Sequence, residues 1–224
     1  MKHKIYAAMF SILTILIIIG LSGNEAEKIS GRTTTKLMAL LVENGTCFFT
    51  LNEGWNLASF RCYTEDMSPQ AYFAGLNETL ISIHQYNPSL GLDKWKAYNP
   101  NLPKWVVQDL GNIDREKGYW IRMNKTAFFW SNGSTFSPTR MGIKKGWNLV
   151  GYPGKMPNNI NDSLYTYMNY DWSVVYMYNS SDSVDPWKMY ILNAPANTTL
   201  DLYQFSHNFG YWVNASKTGE WYLY

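Results

Sequence analysis

Gly54-Trp55-Asn56-Leu57 returns 92 positions later as Gly146-Trp147-Asn148-Leu149, and this recurrence decides how the chain is organised. The same offset, without a gap, places Gly118-Tyr119-Trp120 on Gly210-Tyr211-Trp212. Self-similarity at a fixed period indicates tandem copies of one structural unit. Other pairs in the same register are Tyr86 and Tyr178, Asp93 and Asp185, Trp95 and Trp187, Tyr98 and Tyr190, Pro103 and Pro195, and Asp109 and Asp201.

The matched residues indicate that each copy is a β module. Gly54 and Gly146 end short polar segments, where glycine adopts the positive φ that closes a tight turn. In the strand that follows, Trp55 and Leu57 point to one face and Asn56 to the other. β-branched and aromatic residues predict further strands at residues 79–86, 95–98, 118–123 and 172–178.

Helical structure is expected only in short segments. Ser68 followed by Pro69 predicts a helix reaching about residue 76, since Ser suits the N-cap and Pro the first helical position. Asp109 is expected to cap a brief helical turn. The predicted fold class is therefore mainly β, a β-rich α+β fold. Two tandem antiparallel modules of about 92 residues carry the short helical turns.

The module boundaries follow from the same register. We assign residues 37–132 to the first module and residues 133–224 to the second. Because the repeat has no gap, residues 47–132 and 139–224 are expected to share one fold without insertions.

Two Asn-Gly pairs bear on the junction between the modules. Asn44-Gly45 and Asn132-Gly133 lie between apolar segments and are typical of type I′ hairpins. We expect a strand near residues 128–130 to serve both modules. Residues 37–42 would take its place for the first module.

The N-terminus indicates export. Lys2 and Lys4 precede an apolar stretch at residues 5–21, and small residues follow, which is the layout of a signal peptide ending near residue 22. The alternative is an uncleaved N-terminal anchor, because 17 residues reach the lower edge of a membrane-spanning length. Both alternatives place the rest of the chain outside the cell or at its surface, with residues 23–36 as a polar linker.

Charge excludes some classes of partner. The formal net charge of +2 is matched by Lys2 and Lys4, so the remainder of the chain is close to neutral. No basic run remains, which argues against nucleic acid or an anionic membrane as the partner.

Two cysteines, Cys47 and Cys62, are expected to form one disulfide in an oxidising compartment. The corresponding positions of the second copy are Thr139 and Gly154. The bond would therefore be an addition to the first copy, acting as a local staple.

The repeated motifs resemble a module of secreted archaeal and bacterial surface proteins. That module pairs a Gly-Trp-Asn-Leu strand with a downstream Gly-Tyr-Trp-Ile/Val strand, and the resemblance covers residues 37–224. It implies an envelope or extracellular location and brings no catalytic residues. The chain departs from the common form at Arg61, where the second copy has Pro153.

Catalytic patterns are not found in the sequence. It has no HExxH, CxxC or GxSxG motif and no phosphate-binding Gly-rich loop. His84 and His207 are expected to be ordinary strand or surface histidines. The repeated acids, which a glycosidase could use as a pair, are explained by turns and helix capping. They are Asp93, Asp109, Asp185 and Asp201.

No cofactor or metal is predicted. Asp182 and Asp185 could touch Ca²⁺, but two acids three positions apart fall short of the six to eight oxygen ligands that this ion requires.

Aromatic side chains carry the main binding hypothesis. Adjacent strand residues point to opposite faces, so one ring of each Tyr-Trp pair is expected to face solvent and offer a platform for a sugar. The candidate ligand-binding aromatics are Tyr119, Trp120, Tyr211, Trp212, Trp105 and Trp172.

The competing interpretation is that the repeated tryptophans form the cores, because small β modules gain stability by burying large rings. On this interpretation Trp55, Trp120, Trp147 and Trp212 serve stability more than binding. The unrepeated Trp105, Trp130 and Trp172 would make surface or inter-module contacts.

Sequons are abundant and none recurs at the 92-residue offset, so N-glycosylation of surface loops is expected. They begin at Asn44, Asn77, Asn124, Asn132, Asn161, Asn179, Asn197 and Asn214.

The sequence therefore predicts an exported, non-catalytic, N-glycosylated cell-surface or envelope protein with a structural or adhesive role. Its partners would be other envelope proteins or glycans, with self-assembly through edge strands as a further route. The alternative is a carbohydrate-binding module using exposed Trp and Tyr. A glycoside-active enzyme is the third hypothesis.

Overall fold

The chain consists mainly of β-strands, which confirms the fold class predicted from the sequence. The computed structural model describes residues 41–76, 78–103, 105–137, 139–168 and 171–223, and these belong to one compact unit. The predicted leader, the polar linker and the Asn77 sequon lie outside the described residues. Within those ranges no helix has the length and apolar composition needed to cross a membrane.

Fourteen strands and two short helices are present among the described residues. The strands of the first half are β1 Leu41–Leu51, β2 Gly54–Ala58, β3 Leu80–Tyr86, β4 Trp95–Tyr98, β5 Tyr119–Met123 and β6 Ala127–Ser137. Those of the second half are β7 Thr139–Ile143, β8 Gly146–Gly151, β9 Asn158–Asn159, β10 Trp172–Tyr178, β11 Trp187–Ile191, β12 Gln204–Phe205, β13 Gly210–Ala215 and β14 Gly219–Leu223. Helix α1 spans Pro69–Tyr72 and is followed by a 3-10 turn at Ala74–Leu76, and helix α2 spans Ile160–Met168.

Both halves build the same antiparallel sheet. The first has the strand order β2-β5-β3-β4 and the second β8-β13-β10-β11. Gly54 pairs with Met123, and Gly146 pairs with Ala215, which is the same pair 92 positions later. A bulge that follows Leu80 in β3 recurs after Trp172 in β10. The two halves thus share strand order and register at one constant offset.

A two-stranded ribbon accompanies each sheet. β1 pairs with β6 and β7 pairs with β14, with Leu51 opposite Ala127 and Ile143 opposite Gly219. The prediction that the strand near residue 130 serves both modules is therefore wrong. β6 pairs with β1 of its own half, and β14 is its counterpart in the second half.

The predicted Asn-Gly hairpins are also wrong. Asn44 and Gly45 lie inside β1, directly opposite Ser134 and Gly133 of β6, so both Asn-Gly pairs remain extended. An extended partner strand satisfies their backbone groups, which removes the need for a turn. The boundary drawn between residues 132 and 133 consequently falls within β6.

The turns form at the repeated glycines, as predicted. Gly54 has φ 87° and Gly146 has φ 91°. The buried side chain of Asn56 closes the first turn, since its Oδ1 accepts from the Asn52 N–H at 2.8 Å and its Nδ2 donates to the Asn52 carbonyl at 2.7 Å. Asn148 makes the same two bonds to Lys144.

Helix α1 begins where the sequence predicts. Ser68 is the N-cap, and its Oγ accepts from the Ala71 N–H at 3.3 Å. The helical turn expected at Asp109 does not form. Instead, Asp109 Oδ1 accepts from the Ala97 N–H of β4 at 2.7 Å, and Asp201 Oδ1 accepts from the Met189 N–H of β11 at 2.8 Å. Asp109 and Asp201 thus each hold a loop against the edge strand of the sheet in their own half.

Each half has its own hydrophobic core. In the first, Phe60 is fully buried and its ring centroid lies 4.9 Å from Phe49 and 5.1 Å from Phe73. In the second, the Phe205 ring lies 4.8 Å from both Tyr211 and Trp221. Burying such side chains stabilises the fold by roughly 1.5–3 kcal/mol for each Phe-sized group.

The predicted disulfide is confirmed. Cys47 of β1 is bonded to Cys62, with a Cα–Cα distance of 6.1 Å, and both residues are buried in the first core. The bond joins β1 to the segment that follows β2.

The two halves meet through reciprocal contacts. Ala58 forms an isolated β-bridge with Phe209, and Lys117 forms one with Val150, which is the same pair with the halves exchanged. The backbone bonds follow the same rule, since the Ser59 N–H donates to the Asn208 carbonyl and the Gly151 N–H to the Glu116 carbonyl. Such reciprocity defines a local pseudo-two-fold relationship between the halves.

Candidate binding site

Aromatic side chains cover the sheet faces that point away from the two cores. Because side chains alternate along a strand and opposite residues share a face, Trp120 lies on the same face as Leu57 and His84, its partners in β2 and β3. The same alternation applies in the second half, and together the rings form what we call the ring face. Its ten residues are Trp55, His84, Tyr86, Trp95, Trp120, Trp147, Tyr176, Tyr178, Trp187 and Trp212.

Two open pockets divide this face. Pocket A, of about 410 Å³, is lined by Trp55, His84, Trp95, Trp120 and Tyr178. Pocket B, of about 480 Å³, is lined by Tyr86, Trp147, Tyr176, Trp187 and Trp212. Each takes four rings from one half of the chain and a tyrosine from the other. Both volumes are typical of small-ligand sites.

Steep angles between neighbouring rings give the pockets their walls. The Trp55 and Trp120 rings are 6.1 Å apart at an interplanar angle of 89°. Their counterparts Trp147 and Trp212 are 6.2 Å apart at 87°. This edge-to-face arrangement is a favourable one for aromatic pairs, and it leaves part of each ring surface available to a ligand.

The outermost rings are well exposed. The exposed fractions are 41% for Trp55, 40% for Trp147, 42% for Trp95 and 46% for Trp187. Contiguous apolar surface of this kind on a folded protein marks an interaction site. The ring face is therefore the candidate binding site.

The interpretation of the repeated tryptophans as core residues is wrong. Trp55 and Trp147 are exposed, and Trp120 and Trp212 are only partly buried on the ring face. The side chain that β2 turns inward next to Trp55 is Asn56, which is needed to close the turn.

Several of the predicted ligand-binding aromatics are buried. Tyr119 and Tyr211 are fully buried, with their hydroxyls accepting from the N–H groups of Asp114 at 2.6 Å and Ser206 at 2.7 Å. Burial raises the pKa of both phenols far above the ordinary value. Trp172 is 2% exposed and belongs to the second core.

Three of the predicted aromatics are accessible. Trp120 and Trp212 lie in pockets A and B, respectively. Trp105 is 82% exposed but lines neither pocket. Trp130, expected at the surface, is 63% exposed.

A cation accompanies each pocket. The Arg122 guanidinium carbon lies 5.8 Å from the ring centroid of Trp55, its partner across the sheet. Beside pocket B, the Lys94 Nζ lies 6.0 Å from the centroid of the Tyr86 ring, which lines that pocket. No acidic residue is among the described side chains that line the pockets. Each cation would attract an acidic group on a ligand that stacks on the neighbouring ring.

The pockets differ at one titratable position. His84 in pocket A corresponds to Tyr176 in pocket B. Burial lowers the pKa of the His84 imidazole, whose Nε2 lies 3.0 Å from the Ser82 hydroxyl. Pocket A therefore carries a neutral imidazole near pH 7.

Sequence reasoning missed most of the ring face. The recurrence of Tyr86 at Tyr178 and of Trp95 at Trp187 was visible in the sequence. Strand alternation places Tyr86 on the face of His84, and pairing with Trp95 extends that face to β4. The sequence did not reveal the contact between the halves, which brings the aromatic residues of the first half next to those of the second.

Three aspartates of the second half are engaged with one lysine. Asp182, Asp185 and Asp201 surround Lys188, with Nζ–O distances of 3.0, 3.3 and 3.4 Å. Hydrogen bonds from the Asp185 N–H and from Lys188 lower the pKa of Asp182. In the described part of the chain no group of three potential metal ligands is present.

The edge strands are partly bonded within the chain. On β4 the N–H of Ala97 is held by Asp109 and its carbonyl accepts from the Leu110 N–H. Self-assembly through edge strands stays a prediction.

Seven of the eight sequons can be placed. Asn44, Asn124, Asn132 and Asn197 are exposed, and Asn161, Asn179 and Asn214 are partly exposed. Asn214 lies opposite Trp147, at the margin of pocket B.

Comparison with known proteins identifies no relative: no family model, curated protein or solved structure matches the chain. The resemblance to a secreted surface module stays a prediction.

Proposed function

We propose that this chain is an exported, non-catalytic adhesive protein of the cell surface that binds carbohydrate through the ring face. The observation that carries the proposal is the pair of pseudo-symmetric pockets, each walled by exposed tryptophans. Two pockets on one face let a single molecule hold two ligand chains. Adhesive proteins gain avidity from such bivalency.

Sugar chemistry suits the lining of the pockets. A pyranose ring has an apolar C–H face and a hydroxyl-bearing edge, so it can stack on an indole while its edge stays hydrated. An open pocket with almost only aromatic carbon in its walls fits that division. The Arg122 guanidinium beside Trp55 would additionally favour a sugar that carries a carboxylate.

A glycan array probed with the full chain, after removal of any cleaved leader, tests the ligand class. We expect binding to a defined group of oligosaccharides, and titration calorimetry on the best of them should give two sites per chain. A protein that binds no glycan on the array would contradict the proposal.

Single-pocket variants test the site. Trp55→Ala should remove the site in pocket A and Trp147→Ala that in pocket B, so each variant should bind one ligand and the double variant none. Trp105→Ala is the matched control, because this indole is more exposed than either and lines neither pocket. Binding that persists in the double variant would place the ligand elsewhere.

A further inference from the structure

A second apolar surface lies on the ribbon of β1 and β6. Phe48, Phe128 and Trp130 are 71%, 79% and 63% exposed. Phe48 stands opposite Trp130, and Thr50 opposite Phe128, so the three rings share the outer face of the ribbon. We call the outward side chains of β1 and β6 the ribbon face. Such a cluster of exposed large rings calls for a covering group.

Two sequons lie on this same face. Asn44 stands opposite Ser134, and Asn132 opposite Thr46, so each sequon asparagine faces the hydroxyl residue of the other sequon. The Thr46 hydroxyl donates to Asn132 Oδ1 at 2.7 Å, and the Ser134 hydroxyl donates to Asn44 Oδ1 at 2.5 Å.

Both acceptor amides remain available. The bonds to the two Oδ1 atoms fix the side-chain amides, and both asparagines are exposed. Within the described residues neither Nδ2 donates a hydrogen bond. The nitrogen that a glycan would modify is therefore accessible in the folded chain.

The second half of the chain supplies an internal control. At the positions of Phe48, Phe128 and Trp130 it carries Arg140, Glu220 and Tyr222. Arg140 and Glu220 form an ion pair, and the Tyr222 hydroxyl donates to Glu220 at 2.6 Å.

The second ribbon carries no sequon. It consists of β7 Thr139–Ile143 and β14 Gly219–Leu223, so it has no counterpart of the cross-strand pairs that Asn44 and Asn132 form in the longer first ribbon. The ribbon with two sequons thus has three exposed rings, and the ribbon without them has a polar surface.

We propose that Asn44 and Asn132 carry N-linked glycans whose first sugars pack on Trp130, Phe48 and Phe128 and cover them. Asn132 is two residues after Trp130 on one strand, which places the two side chains on one face about 7 Å apart. That spacing lets the C–H face of the first sugar reach the indole. The inference rests on the proposed export of the chain and not on the ligand of the ring face.

The modification is an ordinary glycosyl transfer. The Asn Nδ2 attacks the anomeric carbon of an oligosaccharide linked to a lipid phosphate, which is the co-reactant. An N–C bond forms, and the anomeric C–O bond breaks. The lipid phosphate leaves with the electron pair, and the amide nitrogen gives up one proton to the catalytic base of the transferase.

Glycopeptide mass spectrometry tests occupancy on the full chain secreted from a host that N-glycosylates Asn-x-Ser/Thr. We expect glycans on both Asn44 and Asn132. Asn197, which is exposed elsewhere, reports whether the host glycosylates this chain. Occupancy at Asn197 with bare Asn44 and Asn132 overturns the inference alone, whereas no occupancy at any site of the secreted chain also overturns the expected N-glycosylation of the surface loops.

A double-mutant cycle tests the packing. Trp130→Ala and Asn132→Gln are combined, and melting temperatures of the four secreted proteins are compared. We expect Trp130→Ala to lower the melting temperature by about 2–4 °C more when Asn132 is glycosylated than in the Asn132→Gln background. The same cycle with Trp130→Ala and Asn197→Gln should show no coupling. Equal effects of Trp130→Ala in both Asn132 backgrounds would show that the sugar does not cover the indole.

Discussion

The indole of Trp120, in the first half of the chain, lies 5.3 Å from the phenol ring of Tyr178 in the second. Trp212 and Tyr86 repeat this contact with the halves exchanged, at 5.1 Å. Each pocket is therefore completed by a ring from the other half, so contacts between the halves bear on stability and on the proposed binding.

Replacing Trp120 with alanine should weaken the contact between the halves. The indole touches Trp55 in its own half and Tyr178 and Trp187 in the other. Since it is only partly buried, we expect a loss of about 2 kcal/mol in the free energy of unfolding, below the range for fully buried Trp→Ala changes. Urea denaturation measures this loss. Trp105→Ala should stay within about 0.5 kcal/mol of the parent protein, and equal losses in both variants would contradict the assignment.

Gly118→Ala should destabilise the chain more than Gly210→Ala. A Cβ at Gly118 would lie 2.8 Å from the Val150 carbonyl oxygen, and one at Gly210 would lie 3.0 Å from the Ala58 carbonyl oxygen. Forcing an atom into such a contact typically costs about 1–3 kcal/mol. Thermal unfolding should give a lower melting temperature for Gly118→Ala than for Gly210→Ala. Gly142→Ala is the control, because a Cβ there meets nothing within 4 Å, and a control as damaging as Gly118→Ala would refute the steric argument.

Asn56→Ala should cost more than Asn148→Ala. Both asparagines close a turn, but Asn56 Oδ1 also accepts from the Ser180 hydroxyl of the other half at 2.8 Å. Each of the part-buried bonds that close the turn typically contributes about 0.5–1.5 kcal/mol, and Asn56→Ala loses the bond between the halves as well. Ser180→Ala removes that extra bond together with the bond that its hydroxyl accepts from Asn52 Nδ2 at 2.9 Å. In urea denaturation its loss should therefore be at least as large as the difference between the two asparagine variants.

Reduction of the Cys47–Cys62 disulfide should destabilise the first half selectively. A closed loop of this size, with a sequence separation of 15, stabilises a fold by about 3 kcal/mol. Hydrogen exchange with and without reductant should show faster exchange in β1 and β2, with β7 and β8 as the internal control. Uniform acceleration across both halves would contradict local stapling.

Acidification should destabilise the chain through His84. Burial lowers the pKa of this imidazole below its unfolded value of about 6.5, so the folded state binds fewer protons than the unfolded state. The resulting stability is present above that value and is lost as pH falls below it. Melting temperatures measured from pH 7.5 to 5.5 should therefore decrease.

Burial also lowers the pKa of His207. Substituting His84 therefore separates its contribution to the pH dependence from that of His207. His84→Tyr introduces the residue found at the same position of pocket B. It should reduce, without abolishing, the decrease in melting temperature on acidification. If the melting temperature of this variant depends on pH as steeply as that of the parent protein, groups other than His84 cause the whole pH dependence.

The sequence predicted the repeat and most strands because those features depend on local pattern. Glycine at a positive φ and alternating side chains at Trp55 and Leu57 are readable within a few residues. The ribbon was mispredicted at Asn44 because its partner, Ser134, is 90 positions away. Local turn preference could not reveal that an extended partner strand was present.

The ring face could be predicted only in part for a similar reason. Large rings usually form the core of a small β module, which made Trp55 a reasonable core candidate. The face that becomes the core was decided by Asn56, which closes the turn, and by Tyr119, whose hydroxyl bonds to Asp114. Pockets composed of both halves require contacts that no short segment encodes.

The reciprocal contact joins two halves of one chain, and this affects how substitutions accumulate in the two pockets. In a homodimer of single modules, one substitution alters both sites at once, because one gene encodes both. Here the halves lie in one chain, so each pocket can vary while the other keeps its form. His84 against Tyr176 and Arg122 against Asn214 are such differences. Joining the modules in one polypeptide thus frees the two sites to specialise for different ligands within one symmetrical frame.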